Sequence, residues 1–288
     1  MQLRQPWLWY FCNIKIGNDI YADGILSYFS KKNVKLDNII KREDTSTGFS
    51  IILVSFQGDR TVLAHRGANA EIQLEEINYD AIKDADFIYV APLNGESNKI
   101  LEPIVDYARK NNKIICFNAG TTSIKKGFKH LEKVLKTADI VVMNKEEAMM
   151  ATGIDVRPDT KTEKFSKEII HPDIKKMLKK LKVMDYQLII ITDGNKGAYA
   201  YDGKKLYFCP VFPSEVISTL GAGDAFASTC CAALQRTKLD IGLSLMYGSV
   251  NSASVISKFG ATEGLLNFDE IESKLKSHPE YTYITVET

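Results

Sequence analysis

The residues best suited to chemistry stand together in Ser218-Thr219-Leu220-Gly221-Ala222-Gly223-Asp224-Ala225-Phe226-Ala227-Ser228. A Gly-Ala-Gly turn that opens a helix leaves backbone N–H groups without intrahelical acceptors, and the helix dipole adds positive potential there. Together these make an anion site. Asp224 is placed where a carboxylate is stable beside that site. It could take a proton from a hydroxyl while the amides hold charge developing on a phosphoryl group. Many strand–helix junctions carry Gly-x-Gly for tight packing alone, so the turn by itself leaves both readings open. Two other Gly-rich readings fail. A dinucleotide fingerprint needs a third Gly where Phe226 stands, and no Gly-x-x-x-x-Gly-Lys-Ser/Thr occurs.

The elements that must position this turn follow from periodicity. Ahead of it, Val211 to Ile217 reads as extended, with Pro210 and Pro213 marking a strand edge or bend. Behind it, Ala225 to Leu234 has the small and apolar composition of a buried helix. From Asp86 the chain alternates. Strands are expected at Phe87–Ala91, Lys113–Asn118, Ile140–Met143 and Leu188–Thr192, and helices at Asn98–Lys110, Ile124–Lys136, Asp173–Val183 and Ile241–Lys258. Short apolar strands between amphipathic helices predict a parallel sheet covered on both faces, with ligand loops at the carboxyl ends of the strands. Near the start, Trp7 to Ile16 reads as a strand and Ala22 to Lys32 as a helix. Thr45 to Leu63 reads as a β-hairpin turning at Gly58-Asp59, and Asp155 to Lys167 as a polar surface insertion.

Composition narrows the function. The 288 residues are 45% hydrophobic and 25% charged with a net charge of +1. That fits one large α/β domain and gives no general attraction to nucleic acid or anionic membrane. The five cysteines show no C-x-x-C spacing and read as reduced core residues, and the four histidines lack metal-ligand spacing. The apolar run Trp7 to Cys12 is too short to span a bilayer. A cytoplasmic enzyme acting on a small molecule is the expectation.

Two further loops carry candidate residues. Asn144-Lys145-Glu146-Glu147 follows a strand and reads as helix N-capping. Thr192-Asp193-Gly194-Asn195-Lys196-Gly197 follows another and reads as a Gly-rich turn before paired strands at Lys196–Tyr201 and Lys205–Cys209. With Gly17 to Asp19 and the central turn, these segments resemble, in order and spacing, the signatures of the ribokinase-like (PfkB-type) carbohydrate and nucleoside kinases. The resemblance runs from about Asn13 onward. It implies a three-layer αβα fold with a mostly parallel central sheet. The chain (1–288) would then be a single domain with a small β lid at about 43–75, including Thr47-Gly48 and Gly67-Ala68-Asn69.

The same resemblance implies site roles. Asp224 would be the catalytic base, and Gly221, Ala222 and Gly223 the anion hole. Asn144 and Glu147 would order Mg²⁺ waters and phosphates, with Glu147 reaching the metal through water. Thr192, Gly194 and Gly197 would lie against the nucleotide. Ser249 and Ser252, on the helix that walls the adenine pocket in relatives, would line that pocket, although close helix packing explains their size equally well. The implied activity is ATP- and Mg²⁺-dependent phosphorylation of a sugar or nucleoside hydroxyl, in a protein that could dimerise through the β lid. Two departures bear on it. The family's opening strand with its Asp, and its Gly-Gly-x-x-x-Asn segment, are not found before Trp7, so the chain reads as starting inside the pattern. Ser218 stands where many relatives carry an Asp tied to a monovalent-cation site, so potassium dependence is not implied. The alternative reading is a nucleotide-binding pseudoenzyme or regulatory protein that keeps the ATP half alone.

Overall fold

The computed structural model describes residues 12–32, 34–54, 60–125, 127–156, 170–182 and 188–287. Two compact units emerge, Met1–Asp86 with Leu93–Lys113, and Phe87–Pro92 with Ile114–Thr288. Most of the expected strand Trp7–Ile16, the Gly58-Asp59 turn and most of the Asp155–Lys167 insertion lie outside the described residues.

In the first unit, β1 (Ile14–Ile16) leads through Gly17 to α1 (Ile20–Lys31). Asp19 caps that helix. Its Oδ2 accepts from Thr47 N at 2.8 Å and its Oδ1 from Ala22 N at 2.9 Å, and these backbone donors hold its carboxyl below the ordinary range. β2 (Ile39–Lys41) pairs parallel with β1. The expected hairpin forms from β3 (Phe49–Val54) and β4 (Arg60–His65), antiparallel with Phe49 opposite His65. α2 (Tyr79–Asp84) and α3 (Leu101–Lys110) complete the unit. The helix expected from Asn98 begins as a 3-10 turn, Gly95–Ile100. It becomes α-helical only at Leu101, with Pro103 in the first turn where its missing N–H costs nothing.

The second unit is a seven-stranded sheet between helices. It contains β5 (Phe87–Val90), β6 (Ile114–Asn118), α4 (Thr121–Lys125), α5 (Phe128–Thr137), β7 (Ile140–Asn144), α6 (Lys145–Thr152), α7 (Pro172–Lys182) and β8 (Leu188–Thr192). There follow β9 (Ala198–Tyr201), β10 (Lys205–Cys209), α8 (Ala222–Arg236), α9 (Ile241–Ile256), α10 (Phe268–Ser277) and β11 (Ile284–Glu287). The strand order is β11-β10-β9-β8-β7-β6-β5. β5 to β8 pair in parallel, whereas the β8–β9, β9–β10 and β10–β11 ladders are antiparallel, so five of the seven strands point the same way.

Alternation along β8 shows why the sheet is sandwiched. Leu188 and Ile190 pack with Cys230, Ala233 and Leu245 of α8 and α9, while Ile189 and Ile191 are fully buried on the opposite face. That opposite face is covered by α6 and α7. Strands buried on both sides must read as unbroken apolar runs, as Leu-Ile-Ile-Ile does. The helix expected over Ile124–Lys136 is divided into α4 and α5, with Gly127 at φ +102° capping the second piece. Val211–Ile217 forms no strand. Cys116 of β6 and Cys231 of α8 face each other across the sheet–helix interface and form a disulfide, whereas reduced thiols were expected throughout. A separation of 115 residues offers no spacing signal for such a pair. No helix among the described residues is long and apolar enough to cross a membrane.

Candidate active site

The turn before α8 owes its shape to Gly221, the N-cap, at φ +77°. Only glycine takes that left-handed conformation freely, and a Cβ there would lie 2.5 Å from the Ala261 carbonyl oxygen. Gly221 offers no side chain to cap the helix. Ala225 N donates to Gly221 O at 2.8 Å, but Ala222 N reaches Thr219 O only at 3.5 Å. The N–H groups of Gly223 and Asp224 lie in the first helical turn, where an α-helix supplies no acceptor. A Cβ on Gly223 would meet no atom within 4 Å, so the Gly223 Cα borders open space.

The turn is braced from behind by α9. Ser252 Oγ donates to Ala222 O at 3.0 Å, Ile217 N and Ser218 N donate to Ile256 O at 2.8 and 3.1 Å, and Leu220 N donates to Ser218 Oγ at 3.3 Å. Ser252 therefore supports the backbone of this turn. The Ser249 hydroxyl is occupied elsewhere: it accepts from Phe212 N at 2.9 Å and donates to Pro210 O at 3.2 Å, tying down the chain after β10. These bonds take the place of the strand ladder that Val211–Ile217 lacks.

Asp224 has an exposed surface, yet protein atoms around its carboxyl partly desolvate it and raise it above the ordinary carboxylate range. No donor among the described residues bonds its side-chain oxygens. It is an uncommitted carboxylate one residue from free amides.

A second group of candidates sits at the carboxyl ends of β7 and β8, which register Asn144 directly against Thr192. Asn144 and Glu147 form a reciprocal capping box on α6. Asn144 Oδ1 accepts from Glu147 N at 2.8 Å and Glu147 Oε2 accepts from Asn144 N at 3.0 Å. The second carboxylate oxygen of Glu147 accepts from Thr121 Oγ1 at 2.9 Å, and the residue is 4% exposed. Each oxygen thus keeps acceptor capacity beyond the bond it already has. No group of three or more His, Cys, Asp or Glu among the described residues could hold a metal ion. Such a donor set suits a hydrated Mg²⁺ carried on phosphates rather than an all-protein cage.

The loop from Thr192 to Gly197 closes through Asp193 N to Gly197 O at 2.8 Å and Lys196 N to Asp193 O at 2.9 Å. Gly197 stands at φ +106° with the Cys209 carbonyl where a Cβ would be, and Gly194 at φ +51°. Asp193 and Lys145 form an ion pair that joins this loop to the start of α6. Sequence reasoning missed three partners: Lys145, Thr121, and Tyr89 bonded to Asn118. The only sequence trace of the last is a phenol inside an otherwise apolar strand.

A family profile described as "pfkB family carbohydrate kinase" matches residues 12–267. The bifunctional ribokinase/ribose-5-phosphate isomerase A of Fructilactobacillus sanfranciscensis is 25% identical over 253 residues; the match covers 87% of this chain and 43% of that protein. The ribokinase of Staphylococcus aureus is 25% identical over 259 residues, covering 89% of this chain and 79% of its own length. Among solved structures, Arabidopsis thaliana ribokinase complexed with ribose and ATP superposes with a TM-score of 0.76 at 17% identity, covering 92% of this chain and 81% of the other. That likeness establishes a shared fold.

Proposed function

Because this chain belongs to the pfkB family of carbohydrate kinases, we propose that it transfers the γ-phosphoryl group of ATP to a hydroxyl of a sugar or nucleoside. The observation that carries this reading is the union, on one turn, of the Gly223 and Asp224 amides without acceptors and a carboxylate without donors among the described residues. Asp224 removes the proton of the attacking hydroxyl, and the Gly221-Ala222-Gly223 turn, through its N–H groups that lack an acceptor, holds negative charge on the migrating group. Asn144 and Glu147 orient the phosphates and the waters of Mg²⁺, while Thr192, Gly194 and Gly197 bed the nucleotide. Mg²⁺, when bound, would neutralise phosphate charge. Ser252 acts on the turn through Ala222, and Ser249 fixes the Pro210–Phe212 crossing. On this proposal residues 1–288 make one ribokinase-like domain bearing a β lid at about 43–75. The need for ATP favours the cytoplasm as the site of the reaction.

The exposed residues Phe49, Ile51, Leu53 and Leu63 share one face of the β3–β4 hairpin, which is the support for dimerisation through that element. Nothing in Ser218 supplies a carboxylate for a monovalent cation. The alternative of a nucleotide-binding protein without transfer has no observation in its favour.

The test is Asp224→Asn. Phosphoryl transfer across a panel of sugars and nucleosides should disappear, while calorimetry shows ATP-Mg²⁺ binding nearly intact. Equal turnover by variant and wild type removes Asp224 from its role.

A further inference from the structure

Tyr89 is the third residue of β5, in register with Cys116 of β6. Both face α8, as the Cys116–Cys231 bond and their shared packing require. Asn118, two residues beyond Cys116, projects to the same face. On α8, Asp224 precedes Cys231 by two turns, about 10 Å, on the same side of the helix. Tyr89, Asn118 and Asp224 therefore converge at the carboxyl ends of the strands.

The hydrogen bonding of the pair is incomplete in an informative way. Asn118 Nδ2 donates to Tyr89 Oη at 3.1 Å, so the phenol oxygen accepts and its own proton is left to give. No acceptor among the described residues takes that proton. Asn118 Oδ1 has no donor there either, and it is not among the polar atoms sealed from solvent. Burial pushes the phenol up to about 12; the Asn118 bond works against this rise and the Asp224 charge adds to it. Tyr89 is accordingly a neutral donor at physiological pH, within the electrostatic reach of the carboxylate.

A hydroxyl both accepts and donates, so one donor and one acceptor side by side form its complement. We infer that Tyr89 Oη–H and Asn118 Oδ1 grip a second hydroxyl of the acceptor substrate, beside the one that Asp224 deprotonates. The inference rests on the kinase reading above and assigns the grip on a second acceptor hydroxyl to two named residues. Tyr89 and Asn118 become specificity residues that hold the acceptor in register for attack.

The test measures transfer from ATP-Mg²⁺ by wild type, Tyr89→Phe and Asn118→Asp. Acceptors are the best sugar or nucleoside and its single-deoxy analogues. In the Asn118→Asp variant the new carboxylate would draw the phenol proton to itself, so both variants withdraw the same donor by different means. Each should lower kcat/KM for the acceptor about 10-fold, with the KM for ATP and the melting temperature unchanged. On one deoxy analogue, the one lacking the gripped hydroxyl, Tyr89→Phe and wild type should become equal. An active wild type with an unaffected Tyr89→Phe overturns the inference alone, as does an equal loss on every analogue, which marks a merely structural role. A wild type that transfers to no acceptor overturns the kinase reading and the inference with it.

Discussion

Gly221 and Gly223 belong to one turn, yet alanine at the two positions should give opposite effects on stability. At Gly221 the backbone is left-handed, which costs a Cβ-bearing residue about 1–2 kcal/mol. The new Cβ would also stand 2.5 Å from the oxygen and 3.0 Å from the Cα of Ala261, both backbone atoms that cannot rotate aside. Relieving such a contact costs about 1–3 kcal/mol, so Gly221→Ala should lose about 2–5 kcal/mol in all. For a domain near this size that lowers Tm by about 5–15 °C. At Gly223 the new Cβ meets nothing within 4 Å. Restricting the unfolded chain there should leave stability unchanged or raise it by up to about 1 kcal/mol. The methyl nevertheless stands at the row of free amides, so Gly223→Ala should keep its fold and lose at least about 10-fold in kcat, as removal of anion-stabilising contacts does. Thermal unfolding and steady-state kinetics on both variants decide the matter. A Gly221→Ala protein as stable as wild type, or a Gly223→Ala protein as fast, would refute the argument.

Further outcomes follow from the same geometry. Desolvation raises the Asp224 carboxyl, so kcat/KM should fall as pH drops through that raised value. A carboxyl raised on folding favours the folded state below its unfolded value and withdraws that favour as pH rises through the folded one, so Asp224→Asn should be at least as stable as wild type at neutral pH. A less stable variant in chemical denaturation would contradict the uncommitted carboxylate. Glu147→Gln keeps an oxygen for the α6 cap but loses the charge favoured at a helix N-terminus, so it should cost about 0.3–1 kcal/mol and raise the Mg²⁺ concentration needed for half-maximal rate. An unchanged Mg²⁺ titration would confine Glu147 to capping. Alkylation of denatured, unreduced protein should label three cysteines, Cys12, Cys209 and Cys230, and five after reduction. Five labelled at once would dissolve the Cys116–Cys231 bond.

The sequence made the sandwiched sheet legible because a strand covered on both faces has to be apolar throughout, and Ile140–Met143 and Leu188–Thr192 carry that mark. The turn at Gly221 was legible because a left-handed N-cap admits few residues other than glycine. Capping at Asn144 and Glu147 was read from spacing, and the reciprocal bonds are present. What escaped was tertiary. The β-branched run Val211–Ile217 has strand composition, but single bonds to Ser249 and Ile256 replace the ladder it would need. The strand β11 was not anticipated, since Ile-Thr-Val-Glu at the sheet edge is too short and too exposed to show a buried pattern. Tyr89 and Asn118 meet only because β5 and β6 lie side by side, and nothing local to either residue announces it.

The bonds that tie the Gly221 turn to α9 and to itself, Ser252 on Ala222, Ile256 on Ile217 and Ser218, and Ser218 on Leu220, are made by hydroxyls, amides and carbonyls. None of these groups gains or loses a proton in the range where proteins stay folded. These bonds are thus indifferent to acidity, so an acid limb in the rate profile is expected from the reacting groups and not from a loosening of this brace.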